Sequence, residues 1–443
     1  MSLATLARGL ALAFSAAPDW SEESLAKSGA AALLVSPRWM PRLAGKVRKH
    51  FPKRCHAFDL EEFLYDSDTL YMEVAKEPRP WPSIRRWVLP EPSMVAVSGP
   101  PGHFALPQIA STADLATWLG LSAGELAWFS DLRGQNARTD NEALRHYVCR
   151  IVPKRTGGHR LLEQPKAGLK AIQRTIATQL LSAIPVSPKA HGFVQGRSIH
   201  SFVRPHIGKR VVVRMDLASF FPTIGNAQVR AIFRRVGYPE QIAAHLAGLC
   251  TTQAPTALLE ELADLNHNTF CFEDRQRLRG KHLPQGAPTS PALSNLAAFA
   301  VDRRLTALAA TFDATYTRYA DDLAFSGDAR FARQAHGFVP HAAAVLMEEN
   351  FQVRFKKTRI MFSGNRQHLT GLVINQKTNV VRADYDKLRA ILHQASYTGL
   401  EAQNREGRDN FREHLQGRIA YVAATNPTRG ARLAKLYANI SES

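Results

Sequence analysis

The sequence predicts an α+β fold with a mainly helical N-terminal extension, and three observations carry that prediction. Short β-branched or alternating runs, "VVVRMD", "TYTRYA" and "LAFSG", read as strands, the last two joined by a tight turn. Around them lie segments whose apolar residues recur at helical spacing. A proline-dense stretch, "PRPWPSIRRWVLPEPSMVAVSGPP", separates the first part of the chain from the rest. With 443 residues, 45% hydrophobic and 21% charged, the chain has enough apolar material for a sizeable core and is not a disordered scaffold.

Charge narrows the partners. The formal net charge of +19 favours a polyanion, either nucleic acid or an anionic membrane surface. No stretch approaches the about 20 unbroken apolar residues of a spanning helix, and Arg8 interrupts the apolar N-terminus, so that segment reads as a helix and not a signal peptide. No membrane is expected. Cys55, Cys149, Cys250 and Cys271 show no CxxC spacing, which fits reduced, structural thiols in a cytoplasmic protein.

Taken in order, residues 1–77 read as an accessory helical region, with basic "RWMPRLAGKVRKHF" and acidic "FDLEEFLYDSDTLYMEV". Residues 78–110 form the proline-rich connector. Residues 111–140 hold two short helices, predicted to start at Thr112 and Ser122, each followed by an acid within one turn. "VCRIVPKRTGGHRLLEQP" predicts a hairpin turning at Gly157-Gly158, with Lys154, Arg155 and Arg160 projecting toward phosphates. The helix that follows places Leu169, Ile172, Ile176, Leu180 and Ile184 on one face, with Lys166, Lys170 and Arg174 opposite. Val211 to Val213 start a strand that ends in Asp216. "LPQGAPTSPALSNL" is a broken loop, where Gln285-Gly286 lets backbone approach a ligand, and then a helix from Ser290-Pro291.

Asp321 and Asp322 sit at the tight turn between two strands, where both carboxylates can face one point beside Asp216. Three carboxylates in a partly dry site repel unless cations sit among them. Hard oxygen ligands favour Mg²⁺, and two ions about 3.5–4 Å apart suit phosphoryl transfer. The competing reading of any lone Asp pair is an ordinary turn, since Asp tolerates left-handed backbone.

The ordered set of motifs resembles the reverse transcriptases, in their bacterial retron-type branch, over about residues 141–375. "YADD" is similar to that family's Tyr-x-Asp-Asp turn, "RMDLASFF" to its first metal-binding strand, "LPQGAPTSPALSNL" to its nucleotide- and template-gripping block, and "PKRTGGHRLL" to its fingers hairpin; "HGFVQGRSI" and "LKAIQR" match further blocks. The resemblance implies a right-hand polymerase: fingers and an antiparallel-sheet palm over 141–375, and a helical basic thumb over 376–443. It implies extension of a primer with dNTPs on an RNA template, giving a DNA product. By that likeness Asp216, Asp321 and Asp322 bind two Mg²⁺ ions, with Mn²⁺ as a substitute, and the Leu217 carbonyl adds an oxygen. Lys154 and Arg160 contact the triphosphate, Gln285 and Gly286 line its pocket, Phe221 crowds a ribose 2′-OH, and Lys357 assists pyrophosphate release or binds phosphate.

"HLTGLVIN" resembles the retron Val-Thr-Gly block, with Leu369 in its first place. The retron Asn-Ala-x-x-His marker keeps its histidine as His206, while Phe202 and Val203 replace Asn-Ala. Arg197, His206, Arg412 and Arg418 are the residues expected to hold template RNA. The leading expectation is a retron-type enzyme that copies a cognate structured non-coding RNA into small multicopy DNA for antiphage defence, with an effector protein as partner. A defence polymerase with a different primer, and an idle RNA-binding protein of the same shape, are the alternatives.

Overall fold

The computed structural model describes residues 2–55, 57–66, 68–76, 82–88, 94, 105–154, 159–264 and 272–440. The chain divides into two units, Met1–Ser93 and Met94–Ser443, so the division falls inside the stretch expected as a connector. Most of that stretch, the Gly157-Gly158 turn with Arg155, and Cys271 lie outside the described residues.

The first unit is helical: Leu3–Ser15, Glu22–Ala32, Met40–His50, Ala57–Asp66 and Thr69–Val74. Ser21 caps the second helix by accepting from the Ser24 amide, and Glu22 and Glu23 complement its N-terminal dipole. Leu6, Leu10, Phe14, Leu25, Trp39, Leu43, Val47, Leu60, Leu64, Leu70 and Val74 form a core of its own. Ser83 to Arg86 pack onto it, with the Leu34 amide donating to Ser83 O at 2.9 Å and the Arg85 amide to Ala32 O at 2.8 Å. That edge therefore belongs with the helices.

In the second unit the two short helices, Thr112–Leu119 and Ala123–Ser130, each begin with a capping box. The first cap is Ser111, not Thr112, because Asp114 lies three residues beyond Ser111 and reaches back to its amide at 2.9 Å. Strands β1 (Tyr147–Pro153) and β2 (His159–Pro165) form the antiparallel fingers hairpin. The helical face predicted after it is buried at Leu169, Ile172, Ile176, Leu180 and Ile184.

The palm sheet contains β3 (Val211–Asp216), β4 (Ala314–Tyr319), β5 (Asp322–Gly327) and β6 (Arg359–Phe362), in the order β4-β5-β3-β6, every pair antiparallel. Alternation along β3 sends Val211, Val213 and Met215 into the main core, and Val212 into a second cluster with Phe202, Ala324, Leu369 and Ile374. Apolar residues on both faces make β3 a central strand, as its β-branched run predicts. Asp216 shares the face of Val212, and its register partner is Asp322.

Three short strands, β7 (His368–Leu369), β8 (Leu372–Val373) and β9 (Asn379–Val380), lead into helices Arg382–Thr398, Phe411–Thr425 and Pro427–Ala438. Those helices close on Tyr385, Leu388, Leu392, Leu415, Ile419 and Leu433. This is the expected helical thumb. Among the described residues no helix is long and apolar enough to cross a membrane.

Candidate active site

Strand pairing brings the three aspartates together. β5 lies between β4 and β3, so Asp322 is paired with Tyr319 on one side and with Asp216 on the other. Ala320 and Asp321 make the two-residue turn, and the Leu217 amide donates to Asp321 O at 2.9 Å, tying that turn to the end of β3.

The turn is held from beneath. Ala320 adopts φ 53°, a left-handed conformation costly for a residue with a Cβ. Arg318, fully buried, donates from Nε to Asp302 Oδ1 at 2.7 Å and from Nη2 to Asp302 Oδ2 at 2.8 Å. Its Nη1 reaches Asn295 Oδ1 at 3.0 Å and the Ala320 carbonyl at 3.2 Å. Tyr316 donates to Asp302 Oδ1 at 2.8 Å, and Asn295 donates to Gly192 O at 2.9 Å. Gly192 must be glycine, because a Cβ there would lie 2.6 Å from the Ala320 amide nitrogen. Arg318 Nη1 is thus the side-chain donor that reaches the strained corner, with the remaining contacts holding the guanidinium in place.

The carboxylates do not stand as a bare triad. Lys357 Nζ lies 2.9 Å from Asp216 Oδ2, and Arg354 Nε lies 3.8 Å from Asp216 Oδ1. Arg214, two residues before Asp216 and on its face, donates to Asp322 Oδ1 from Nε at 2.9 Å and Nη2 at 2.7 Å. Asp216 and Asp322 are adjacent in register and both act electrostatically on Asp321, while two of the three also carry a basic partner. Among the described residues no three acidic, His or Cys side chains close into a ready metal cage, because Asp216 and Asp322 are drawn toward these cations. Lys357, Arg354 and Arg214 offset the repulsion at Asp216 and Asp322, whereas Asp321 still feels both neighbouring carboxylates.

The donor set nevertheless fits a hard divalent cation. Asp216 is buried, yet its Oδ1 has no hydrogen-bond partner. Burial, then the neighbouring Asp216 and Asp322, hold the Asp321 carboxyl above the ordinary aspartate range; burial raises Asp322 too, against the pull of Arg214. Poorly solvated carboxylate oxygens with an unspent lone pair are the chemistry such an ion relieves.

Further cations act on the same region. Burial, followed by repulsion from Arg354 and, less strongly, from Arg160 and Lys357, depresses Lys154 below the usual lysine range. Lys154 thus feels Arg354, Arg160 and Lys357, of which Arg354 and Lys357 also flank Asp216. Gln285 and Gly286 are pinned to β2: the Glu163 amide donates to Gln285 O at 3.0 Å, and a Cβ on Gly286 would meet Glu163 O at 3.1 Å. Beneath them His282 Nε2 pairs with the buried Glu163 carboxylate at 3.0 Å. Phe221, half-buried, follows the left-handed Ser219 (φ 46°), and its ring lies 6.1 Å from that of Phe193.

Other expected residues fall elsewhere. His206 is fully buried, with Nδ1 2.6 Å from Ser326 Oγ and Nε2 2.7 Å from Thr317 Oγ1. It cannot touch RNA, so that assignment is withdrawn; it braces β4 against β5. Because Thr317 donates its own proton to Phe202 O at 3.0 Å, Nε2 carries the histidine proton and Nδ1 accepts. One nitrogen of Arg197 is committed to the carbonyls of Ser187, at 2.9 Å, and Ala190. Arg412 and Arg418 stand on the thumb helix, where Arg418 lines a cleft with Asp384, Tyr385 and Tyr421.

Sequence reasoning missed Arg214, Arg354, Phe193 and the Arg318–Asp302 pair. Period-2 alternation in β3 was a usable signal for Arg214; nothing local marks the others.

A model of the reverse transcriptase (RNA-dependent DNA polymerase) family matches residues 152–401. Retron Mx65 reverse transcriptase of Myxococcus xanthus is 41% identical over 350 residues, covering 79% of this chain and 75% of that relative. Retron Mx162 reverse transcriptase of the same organism is 36% identical over 341 residues, covering 73% and 66%. Retron Ec86 reverse transcriptase of Escherichia coli is 29% identical over 276 residues, covering 62% and 74%. A solved foamy viral protease-reverse transcriptase in complex with double-stranded DNA aligns with a TM-score of 0.34 and 14% identity, over 87% of this chain and 56% of that one, a likeness too faint to add to the assignment. With the family model spanning more than half its length and the palm carrying the motifs in order, this chain belongs to the reverse transcriptase family and is an RNA-directed DNA polymerase of the retron type.

Proposed function

We propose that Asp216, Asp321 and Asp322, with the Leu217 carbonyl, hold two Mg²⁺ ions, for which Mn²⁺ can substitute, and that this site joins dNTPs to a primer on a structured non-coding RNA. The observation that carries this reading is the buried Asp216 Oδ1, which has no hydrogen-bond partner and only a 3.8 Å contact with Arg354 Nε, on a residue whose register partner is Asp322. Reverse transcriptases work with divalent metal ions. When bound here, they would lower the cost of ionising the attacking hydroxyl and of releasing pyrophosphate. The chain's own residues do the rest. Lys154, Arg160, Arg354 and Lys357 bind and orient the triphosphate, so Lys357 exchanges its Asp216 contact for a phosphate oxygen. Phe221 excludes a 2′-OH, and Gln285-Gly286 form the floor of the nucleotide pocket.

Asp321→Asn or Asp322→Asn is expected to abolish primer extension while leaving RNA affinity within about twofold of wild type, since the basic surface supplies most of the binding. Full extension by both variants refutes the assignment. We further infer that the product is a small DNA joined to its template RNA, acting with an effector protein in defence against phage. Protein purified with its native flanking DNA should carry one defined RNA linked to a short DNA through a 2′,5′ branch that debranching enzyme cleaves. Unbranched DNA of variable sequence would favour a differently primed polymerase.

A further inference from the structure

The N-terminal unit carries a charged surface that neither its own core nor the chemistry uses. Helix Met40–His50 buries Met40, Leu43, Ala44 and Val47. Its outer side shows Arg42, Lys46 and Lys49, with Arg38 one turn before and Lys53 one turn after, all exposed. No acid occurs anywhere from residue 24 to residue 58. At 1.5 Å per residue the three helical cations advance about 6 Å and then about 4.5 Å, a spacing comparable to successive phosphates of a nucleic-acid strand.

Other elements offset little of this charge. The buried Glu73 carboxylate lies 2.7 Å from Lys46 Nζ and 3.4 Å from both Arg42 Nε and Lys76 Nζ. One acid thereby anchors three cations and leaves an excess. Asp19 and Glu22 border the shallow depression beside Arg48 and Lys49. A solvated face is the ordinary explanation of such a stripe, and the helix dipole does account for basic residues in the last turn. It does not account for Arg38. Arg42 has Glu73 for an anionic partner, whereas Arg38 stands just before the positive end of the helix, where a cation is unfavourable without one.

We propose that Arg38, Arg42, Lys46, Lys49 and Lys53 form a second RNA-binding surface, outside the polymerase unit, that grips the phosphate backbone of paired RNA without reading its sequence. The proposal rests on the enzyme being RNA-directed. Backbone recognition of paired RNA follows from what the segment 38–53 itself offers: Trp39 is fully buried and Phe51 packs against the unit's core, so among these residues cations are presented without an exposed aromatic platform for unpaired bases.

The test uses the full chain with Arg38→Gln, Lys49→Gln and Lys53→Gln combined, which spares the cations bound to Glu73. Binding of an RNA hairpin of arbitrary sequence is titrated across a KCl series. The expected result is about tenfold weaker binding near 0.1 M salt and a plot of log affinity against log salt shallower by about 2–3, from three lost phosphate contacts. Extension of a short annealed primer–template at saturating concentration should be unchanged. A companion with Arg38→Lys, Lys49→Arg and Lys53→Arg should bind like wild type. An unchanged slope in the glutamine variant, or equal loss in the charge-preserving one, overturns the proposal. So does loss of binding to phosphatidylserine vesicles with hairpin binding intact, which would make the stripe a membrane surface. Failure of the wild type to extend any primer would instead sink the polymerase reading.

Discussion

Replacing Arg318 with Met tests whether the buried pair with Asp302 positions the catalytic turn or merely fills the core. The substitution keeps an unbranched apolar stem but is about two atoms shorter and removes the charge, leaving the fully buried Asp302 carboxylate with the Tyr316 hydroxyl as its side-chain partner among the described residues. Breaking a buried pair from one side costs about 3–5 kcal/mol, which should appear as a lower unfolding midpoint in urea. Arg318→Met combined with Asp302→Leu removes both charges and should recover most of that stability, because a dry pair and its apolar replacement differ little. Turnover should not recover. The Ala320 carbonyl loses its 3.2 Å contact with Arg318 in both variants, and a displacement of about 1 Å at reacting groups costs on the order of a hundredfold in rate. Single-nucleotide extension under single-turnover conditions, measured beside the urea curve, separates the two effects. Recovery of both stability and rate in the double variant would show that Arg318 only neutralises Asp302, and the positioning argument would be wrong.

Three other outcomes are expected. Burial lowers the His206 pKa to about 3, so between pH 6.5 and about 3 the unfolded chain binds a proton that the folded chain refuses. Its contribution is fully present above pH 6.5 and is lost as pH falls through that window, by up to about 1.4 kcal/mol per unit; a pH series of urea midpoints should be flatter for His206→Gln. Phe221→Val should raise ribonucleotide over deoxynucleotide incorporation by about tenfold or more, and an unchanged ratio in a competition assay places the gate elsewhere, with Phe193 next to be tested. Arg354→Ala should raise the KM for dNTPs about tenfold by removing a charge-assisted contact, with a smaller change in kcat; the reverse pattern would mean that Arg354 acts on Asp216 and not on the triphosphate.

What could be read from the sequence follows the range of the interactions. Asp216, Asp321 and Asp322 were legible because strand alternation and a two-residue turn are local patterns, and their order along the chain is characteristic. The capping boxes were legible to within one residue for the same reason. Arg318, Asp302 and Asn295 were not, because their pairing spans 16 and 23 positions and only tertiary packing brings Asp302 of helix Phe299–Thr311 and Asn295 of helix Ser290–Ala297 to β4. His206 misled in the other direction. A histidine in a basic, motif-bearing segment suggests a ligand contact, whereas Ser326 and Thr317, 120 and 111 residues away, absorb both ring nitrogens.

Lys357 and Arg214 have a consequence for how the enzyme comes into being. Because each already supplies a counter-charge to Asp216 or Asp322, the palm can fold from its own side chains without waiting for an ion to screen its acids. On the proposed metal assignment, assembly and ignition would be separate events: a chelated enzyme is expected to keep its architecture, and restoring the ion to restart chemistry without refolding. On that assignment the same internal cations would make metal entry an exchange of partners and not the filling of a void, so that affinity for the ion would depend on how readily Lys357 and Arg214 let go as well as on the aspartates.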